Sequence, residues 1–192
     1  VIRHHLEALQ SPNTTHLSVV TDDGAMVSVT MSMGYGSGVV IPNTGIACNN
    51  SLGEPEMNPQ GYHGAAPGSR LISNMAPTVA WHQDGRCLAI GSPGASRITT
   101  AIAQTWSRYI HEGMTFEAAV EAPRLHIEQL QGALRAQCEP GIDTSLLSPQ
   151  FIVRPFDHLD MYFGAVKLAA LDEDRRLHAV ADERRPGSVE IV

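Results

Sequence analysis

Strands, then two helices, then strands again predict an α+β fold with helices packed on sheet, not alternating βαβ units. Three observations carry that prediction. Two β-rich pairs flank the turns Asp22-Asp23-Gly24 and Gln83-Asp84-Gly85, each a hairpin signal. Apolar Ile98, Ile102, Trp106, Tyr109 and Ile110 recur at helical spacing. After Pro123 the chain returns to short strand-like runs up to Ala181.

Val1 to Gln10 has the apolar spacing of a helix (Ile2, Leu6, Leu9), and Ser11-Pro12-Asn13 breaks it. His16–Val20 and Ala25–Met33 read as the first hairpin. In its second arm Met26, Ser28, Thr30 and Ser32 alternate with Val27, Val29, Met31 and Met33, so one face is largely hydroxylated and the other apolar. A hydroxylated face ordinarily points to water; the functional alternative is that Ser32 points into a site. Gly34-Tyr35-Gly36-Ser37-Gly38 lacks the lysine of a phosphate-binding loop and opens no clear helix. Val39–Ile41 and Gly45–Cys48 read as short strands, and residues 51–70 as a long surface loop. Met75–Trp81 and Cys87–Ile90 form the second hairpin. The first helix ends at Gly113; a second spans Thr115–Ala122, with Thr115 as N-cap and Pro123 beyond it. Leu125–Ile127, Leu134–Gln137, Phe151–Val153, Phe163–Ala170 and Leu177–Ala181 complete the strands, with Asp172-Glu173-Asp174 as a charged hairpin tip.

Composition narrows the function. The 192 residues are 43% hydrophobic and 17% charged, as in a globular domain with a real core. A net charge of −7, with Arg184-Arg185 the longest basic cluster, argues against nucleic acid as the main partner. The three cysteines, Cys48, Cys87 and Cys138, have no disulfide or zinc spacing and read as small buried residues. The histidines are scattered without ligand spacing, so neither a metal nor a cofactor is expected. No apolar run approaches the roughly 20 residues of a membrane span. The chain opens without Met, inside what reads as a helix, and is expected to be a piece of a longer polypeptide.

Two stretches invite chemistry. Thr14 opens a strand, where a β-branched residue is ordinarily just at home. Gly91-Ser92-Pro93-Gly94-Ala95-Ser96 precedes a helix; it is either a tight turn and cap or a set of backbone N–H groups suited to an oxyanion. Each is weak alone. In order and spacing, however, Thr14-Thr15-His16-x-Ser18-Val19-Val20, Gly36-Ser37-Gly38, Gly45-Ile46-x-x-Asn49-Asn50, Met75-Ala76-Pro77-Thr78, Gly91 to Arg97 and Ala122-Pro123-Arg124 resemble the small subunit of γ-glutamyltranspeptidase. The likeness runs from Thr14 to the closing Ala181-Asp182-x-Arg184.

The resemblance implies an N-terminal-nucleophile hydrolase, a four-layer αββα sandwich that matures by cutting itself, with this chain as its C-terminal portion. Residues 1–13 would be the tail of the large-subunit portion and 14–192 the small-subunit catalytic portion. The cleavage site falls at Asn13-Thr14, which explains Asn13-Thr14-Thr15 better than its formal match to a glycosylation acceptor. Thr14 becomes the nucleophile, with its freed α-amine as base; such an amine titrates near pH 8. Ser32 falls where a supporting hydroxyl belongs, and the backbone N–H groups of Gly94 and Ala95 where the oxyanion hole belongs. The family usually has Gly at the second of these, and Ala serves unless that residue needs positive φ. His16 belongs to the motif without a catalytic role.

Substrate residues depart further. Ser51 and Glu54 stand where the family has an amide or acid and then Asp, with Glu54 set to meet an ammonium group. The carboxylate-binding Ser-Ser pair reads Ser73-Asn74, and the Asn that usually follows the supporting hydroxyl has no counterpart. The implied substrate is a γ-glutamyl amide such as glutathione, the implied partner the missing large-subunit portion. An acylase, a polyglutamate-processing relative and an unprocessed non-catalytic relative are the alternatives.

Overall fold

The computed structural model describes residues 13–58 and 60–192; the helix expected over Val1–Gln10 lies outside them. Among the described residues nine strands, two α-helices and several 3-10 turns follow one another. β1 (Thr14–Val20) and β2 (Met26–Ser32) form an antiparallel hairpin with Thr14 opposite Ser32. β3 (Thr78–Trp81) and β4 (Cys87–Gly91) form the second hairpin. It joins β8 (Lys167–Leu171) and β9 (Leu177–Ala181) in an antiparallel sheet of order β3-β4-β8-β9. β5 (Leu125–Leu130), β6 (Ala133–Cys138) and β7 (Ile152–Pro155) make a third sheet, with β6 and β7 parallel.

The hairpin β1–β2 lies face to face on β4 and β8, and helices α1 (Ile98–His111) and α2 (Phe116–Glu121) pack on the other face of the four-stranded sheet. These are three layers, ββα, of the αββα arrangement. α1 keeps basic Arg108 and His111 in its last turn, where the helix dipole favours them. α2 is capped as expected: the Thr115 side chain accepts from Ala118 N–H.

The two interlayer spaces differ in kind. Between sheet and helices lie Leu88, Ile90, Ile98, Ile102, Phe116 and Leu168, all buried. Each large aliphatic there contributes about 1.5–3 kcal/mol by burial. Between the two sheets the contacts are hydroxyl and small-residue contacts. Ser28 Oγ donates to Ile90 O at 3.0 Å and Ser18 Oγ to Lys167 O at 3.2 Å. The hydroxylated face of β2 therefore does not point to water. It faces the second sheet, and the apolar face is the outer one: Leu17, Val19, Val27 and Met31 are 41–56% exposed. The alternation holds but its direction is the reverse of the expected one, because a short polar strand face satisfies itself equally well on main-chain carbonyls of a neighbouring sheet.

His16 sets the spacing of that polar layer. It is 4% exposed, with Nδ1 2.8 Å from Thr30 Oγ1 and Nε2 2.9 Å from Ser18 Oγ. Because Ser18 spends its proton on Lys167 O, Nε2 carries the imidazole proton and Nδ1 accepts from Thr30. A Cβ on Gly91 would lie 2.1 Å from the ring, so the opposite strand must be bare there. Burial, aided by the nearby Lys167 charge, pushes the imidazole down to about 4. The folded protein thus binds fewer protons than the unfolded chain between pH 6.5 and 4. The resulting stability is present above pH 6.5 and lost as pH falls through that window. Urea unfolding at pH 7 and 4.5 is expected to differ by about 2–3 kcal/mol from this group, a component absent from His16→Gln.

Three other expectations need correction. Val39–Ile41 and Gly45–Cys48 amount to one isolated bridge, Val40–Ala47, in a segment whose apolar side chains are exposed. Strand β3 starts at Thr78 rather than Met75. β8 starts at Lys167 rather than Phe163, since Met161–Phe163 is a 3-10 turn ended by Gly164 at φ 79°. Cys87 and Cys138 are buried as expected, and Cys48 is half-buried.

Candidate active site

Thr14 is the first residue of β1 and is 5% exposed. Its Oγ lies 2.9 Å from Ser32 Oγ across the hairpin. Gly34 N–H also donates to Ser32 Oγ at 3.0 Å, which fixes the serine rotamer, and either hydroxyl of the pair can donate to the other. A small cavity of about 100 Å³ opens on this pair, walled by Ser51, Glu54, Ser73, Asn74 and Ala95 together with Met57, Leu71, Ile72, Met75 and Ile98. Seven of the residues singled out from sequence (Thr14, Ser32, Ser51, Glu54, Ser73, Asn74 and Ala95) thus share one cavity, although they lie on segments up to 81 positions apart. Gly94, next to Ala95 in the chain, is buried and does not line the cavity.

Glu54 is 7% exposed and sits between two 3-10 turns, Ser51–Gly53 and Pro55–Met57. Its Oε1 comes within 2.5 Å of where a Cβ would stand on Gly34, a residue at φ 58°. The carboxylate approaches the hairpin end because that position is glycine. Ser73 is exposed and its hydroxyl accepts from Met75 N–H at 3.2 Å; Asn74 is half-buried beside it.

The Gly94–Ala95 turn joins β4 to α1. Gly94 has φ 136°, and a Cβ on it would lie 2.6 Å from Gly164 Cα, so only glycine fits. Ala95 has φ 52°, the condition under which alanine is a poor substitute for glycine. Its N–H and that of Gly94 donate to no protein acceptor among the described residues, and of the two residues Ala95 lines the cavity. An L residue in this region costs about 1–2 kcal/mol, part of which glycine returns as lost chain freedom. Ala95→Gly is therefore expected to stabilise the protein by about 1 kcal/mol, read as a Tm higher by about 2–4 °C.

Behind this turn lies a buried ion network. Arg124, fully buried, pairs with Asp182 at 2.6 Å and donates to Gly164 O at 3.0 Å and Val120 O at 2.9 Å. Burial pushes its guanidinium down to about 10, with the Asp182 charge opposing. Arg184 pairs with Asp182 at 3.1 Å and with Glu139. Glu139 in turn accepts from Arg124 N–H at 2.7 Å.

Several residues of the site carried no sequence signal. Arg185 donates to the Thr14 carbonyl oxygen across 171 positions, and Asn13 Nδ2 donates to Gly34 O at 3.0 Å. The apolar wall residues Met57, Leu71 and Ile72 come from a loop without periodicity. Among the described residues no three His, Cys, Asp or Glu side chains gather as metal ligands, and no helix is long and apolar enough to cross a membrane.

Known proteins resemble this chain in sequence and fold. The sequence model of the γ-glutamyltranspeptidase family matches residues 3–192. A glutathione hydrolase proenzyme of Bacillus subtilis is 31% identical over 184 residues, which is 91% of this chain and 30% of the relative. An acylase ACY 1 proenzyme of a Pseudomonas species is 36% identical over 121 residues, 62% of this chain and 22% of the relative. The chain thus spans less than a third of these curated relatives. The solved γ-glutamyltranspeptidase of Pseudomonas nitroreducens, in complex with L-DON, superposes with a TM-score of 0.71 at 26% identity. That match covers 93% of this chain and 99% of the other.

Proposed function

Since the chain belongs to the γ-glutamyltranspeptidase family, we propose that it is the nucleophile-bearing part of an amide hydrolase or acyltransferase that cuts itself at Asn13-Thr14. The Thr14–Ser32 hydroxyl pair, lining a cavity that Glu54 and Ala95 also line, carries this reading. The lengths support it: this stretch is 30% of a proenzyme in one relative and matches nearly all of a separate chain in another.

After the cut, the Thr14 α-amine takes the proton of its own Oγ as the oxygen attacks the γ-carbonyl of a γ-glutamyl amide, glutathione or a related compound. The N–H groups of Gly94 and Ala95 receive the oxyanion. The carbon–nitrogen bond breaks, the amine leaves with the proton, and an ester to Thr14 remains. Water or an amine then takes the acyl group and returns the hydroxyl. Ser32 holds Thr14 Oγ on line. Glu54 meets the α-ammonium of the glutamyl group, while Ser51, Ser73 and Asn74 offer hydroxyl and amide donors to its carboxylate.

The cavity is well below the roughly 300–1,000 Å³ of ordinary small-molecule sites. On this reading the upstream part of the precursor completes it and covers the outer face of β1–β2. The apolar wall of Met57, Leu71, Ile72, Met75 and Ile98 favours a second reading, an acylase with the same chemistry on a less polar acyl group.

Incubating the purified full-length precursor and following its intact mass tests the cut: two chains meeting at Asn13-Thr14 are expected, and one persistent chain would favour a non-catalytic protein. Turnover of γ-glutamyl against glutaryl anilide then separates the two substrates, since only the former carries an ammonium for Glu54.

A further inference from the structure

Asn13 is solvent-exposed, yet the backbone on both sides of the Asn13–Thr14 bond is fastened. Met33 N–H donates to the Asn13 carbonyl oxygen at 3.1 Å. Asn13 Nδ2 donates to Gly34 O at 3.0 Å. Arg185 donates to the carbonyl oxygen of Thr14. The first of these prolongs the β1–β2 ladder by one residue past the Thr14–Ser32 pair. The second is different: it is a side-chain bond, and it needs a donor of this length at this position.

The two receiving residues are themselves held. Met33 O accepts from Asn50 N–H at 2.9 Å, Gly34 N–H donates to Ser32 Oγ at 3.0 Å, and Gly34 bridges to Asn50. The same short turn therefore touches the scissile carbonyl, the side chain before it and the hydroxyl beside the nucleophile.

We infer that Asn13 is a positioning residue for self-cleavage, and that Met33 N–H is the donor for the oxyanion formed on the Asn13 carbonyl. Maturation and turnover then use different oxyanion donors, Met33 in the first and the 94–95 turn in the second. The inference rests on the proposal that Thr14 cuts the bond before it.

Thr14 Oγ bonds to the Asn13 carbonyl carbon, whose oxygen takes the negative charge against Met33 N–H. The carbon–nitrogen bond breaks, and the Oγ proton reaches the departing Thr14 nitrogen by way of Ser32. An ester joins Asn13 to Thr14 Oγ until water hydrolyses it, leaving an Asn13 carboxylate and a free hydroxyl. A donor already aimed at the carbonyl oxygen needs no rearrangement as charge develops. The Asn13–Gly34 bond keeps that peptide from turning away from it.

The test is made in the full-length precursor, with Asn13→Ala, Asn13→Asp and Thr14→Ala followed by intact mass over time. Asn13→Ala is expected to slow the appearance of the cut chain by about 10–100-fold. Asn13→Asp is expected to be slower still, since a carboxylate faces the Gly34 carbonyl without a proton to donate. Because Asn13 departs with the upstream chain, turnover per cut chain is expected to stay within about twofold of wild type, and the melting temperature to be unmoved. Maturation of both Asn13 variants at the wild-type rate, with Thr14→Ala uncut, overturns this inference alone. A matching loss in turnover or in melting temperature also overturns it, by showing a general structural role. Cleavage in Thr14→Ala overturns both this inference and the proposal beneath it.

Discussion

Thr14→Ala is expected to leave the precursor as a single uncut chain and to lower amide turnover by about 10⁴–10⁶-fold. The size of the effect follows from what is lost. Thr14 Oγ is the atom that attacks in both proposed reactions, and its α-amine does not exist as a base until the first reaction has run. The neighbouring hydroxyl cannot stand in: Ser32 lies at the far end of β2, its Oγ is already engaged with Gly34 N–H, and its nitrogen is locked in the chain. Thr14→Ser is the informative companion. It keeps the hydroxyl and is expected to retain cleavage and turnover to within about 10–100-fold, because only packing of the missing methyl in a buried position is lost. Intact mass for the cut and a chromogenic γ-glutamyl amide for turnover read both quantities. Wild-type cutting by Thr14→Ala would refute the assignment outright.

The largest expected effect on stability is at Arg124. Arg124→Met keeps the length and apolar stem but removes the charge, leaving Asp182 buried with Arg184 alone and Gly164 O without its donor. Breaking one member of a buried ion pair costs about 3–5 kcal/mol, since the remaining charge is neither solvated nor fully paired. For a domain of this size that corresponds to a Tm lower by about 10 °C. Arg124→Lys is not a conservative rescue, since a single ammonium cannot serve Val120 O, Gly164 O and the Asp182 carboxylate in one plane. Thermal melts of the two variants check this. A loss in Arg124→Met below about 1 kcal/mol would show that the network contributes specificity rather than stability.

The fold was readable where period and punctuation agreed. Asp-Asp-Gly and Asp-Gly turns placed both hairpins, and Thr115 with Pro123 bracketed α2 to within a residue. Reading failed where a local pattern has two tertiary solutions. The Ser28-Thr30-Ser32 face looked like a solvent face because nothing in the hairpin itself announces a second sheet rich in alanine and glycine. The cavity's polar residues were found through the order of motifs, which bring distant segments together. Arg185 and the Asn13 side chain were not found, because each acts on a main-chain carbonyl and such contacts leave no residue pattern. The positive φ at Ala95 was equally hidden: an alanine announces no left-handed backbone, and only the family's habit of glycine there raised the question.

The polar seam between the sheets has a mechanical consequence. Aliphatic layers hold two surfaces together but let them slide, since their attraction is nearly independent of lateral offset. Hydrogen bonds do not, because they lose strength within a few tenths of an ångström and a few tens of degrees. Ser18 and Ser28 therefore act as dowels that index β1–β2 against β8 and β4, while His16 holds Ser18 and Thr30 within the hairpin and seats its ring against Gly91. β1 begins at Thr14, and β4 runs straight on into the Gly94–Ala95 turn. The distance from the threonine oxygen to that turn is thus machined into the seam, and a substitution that merely loosens the dowels is expected to detune the site without unfolding the protein.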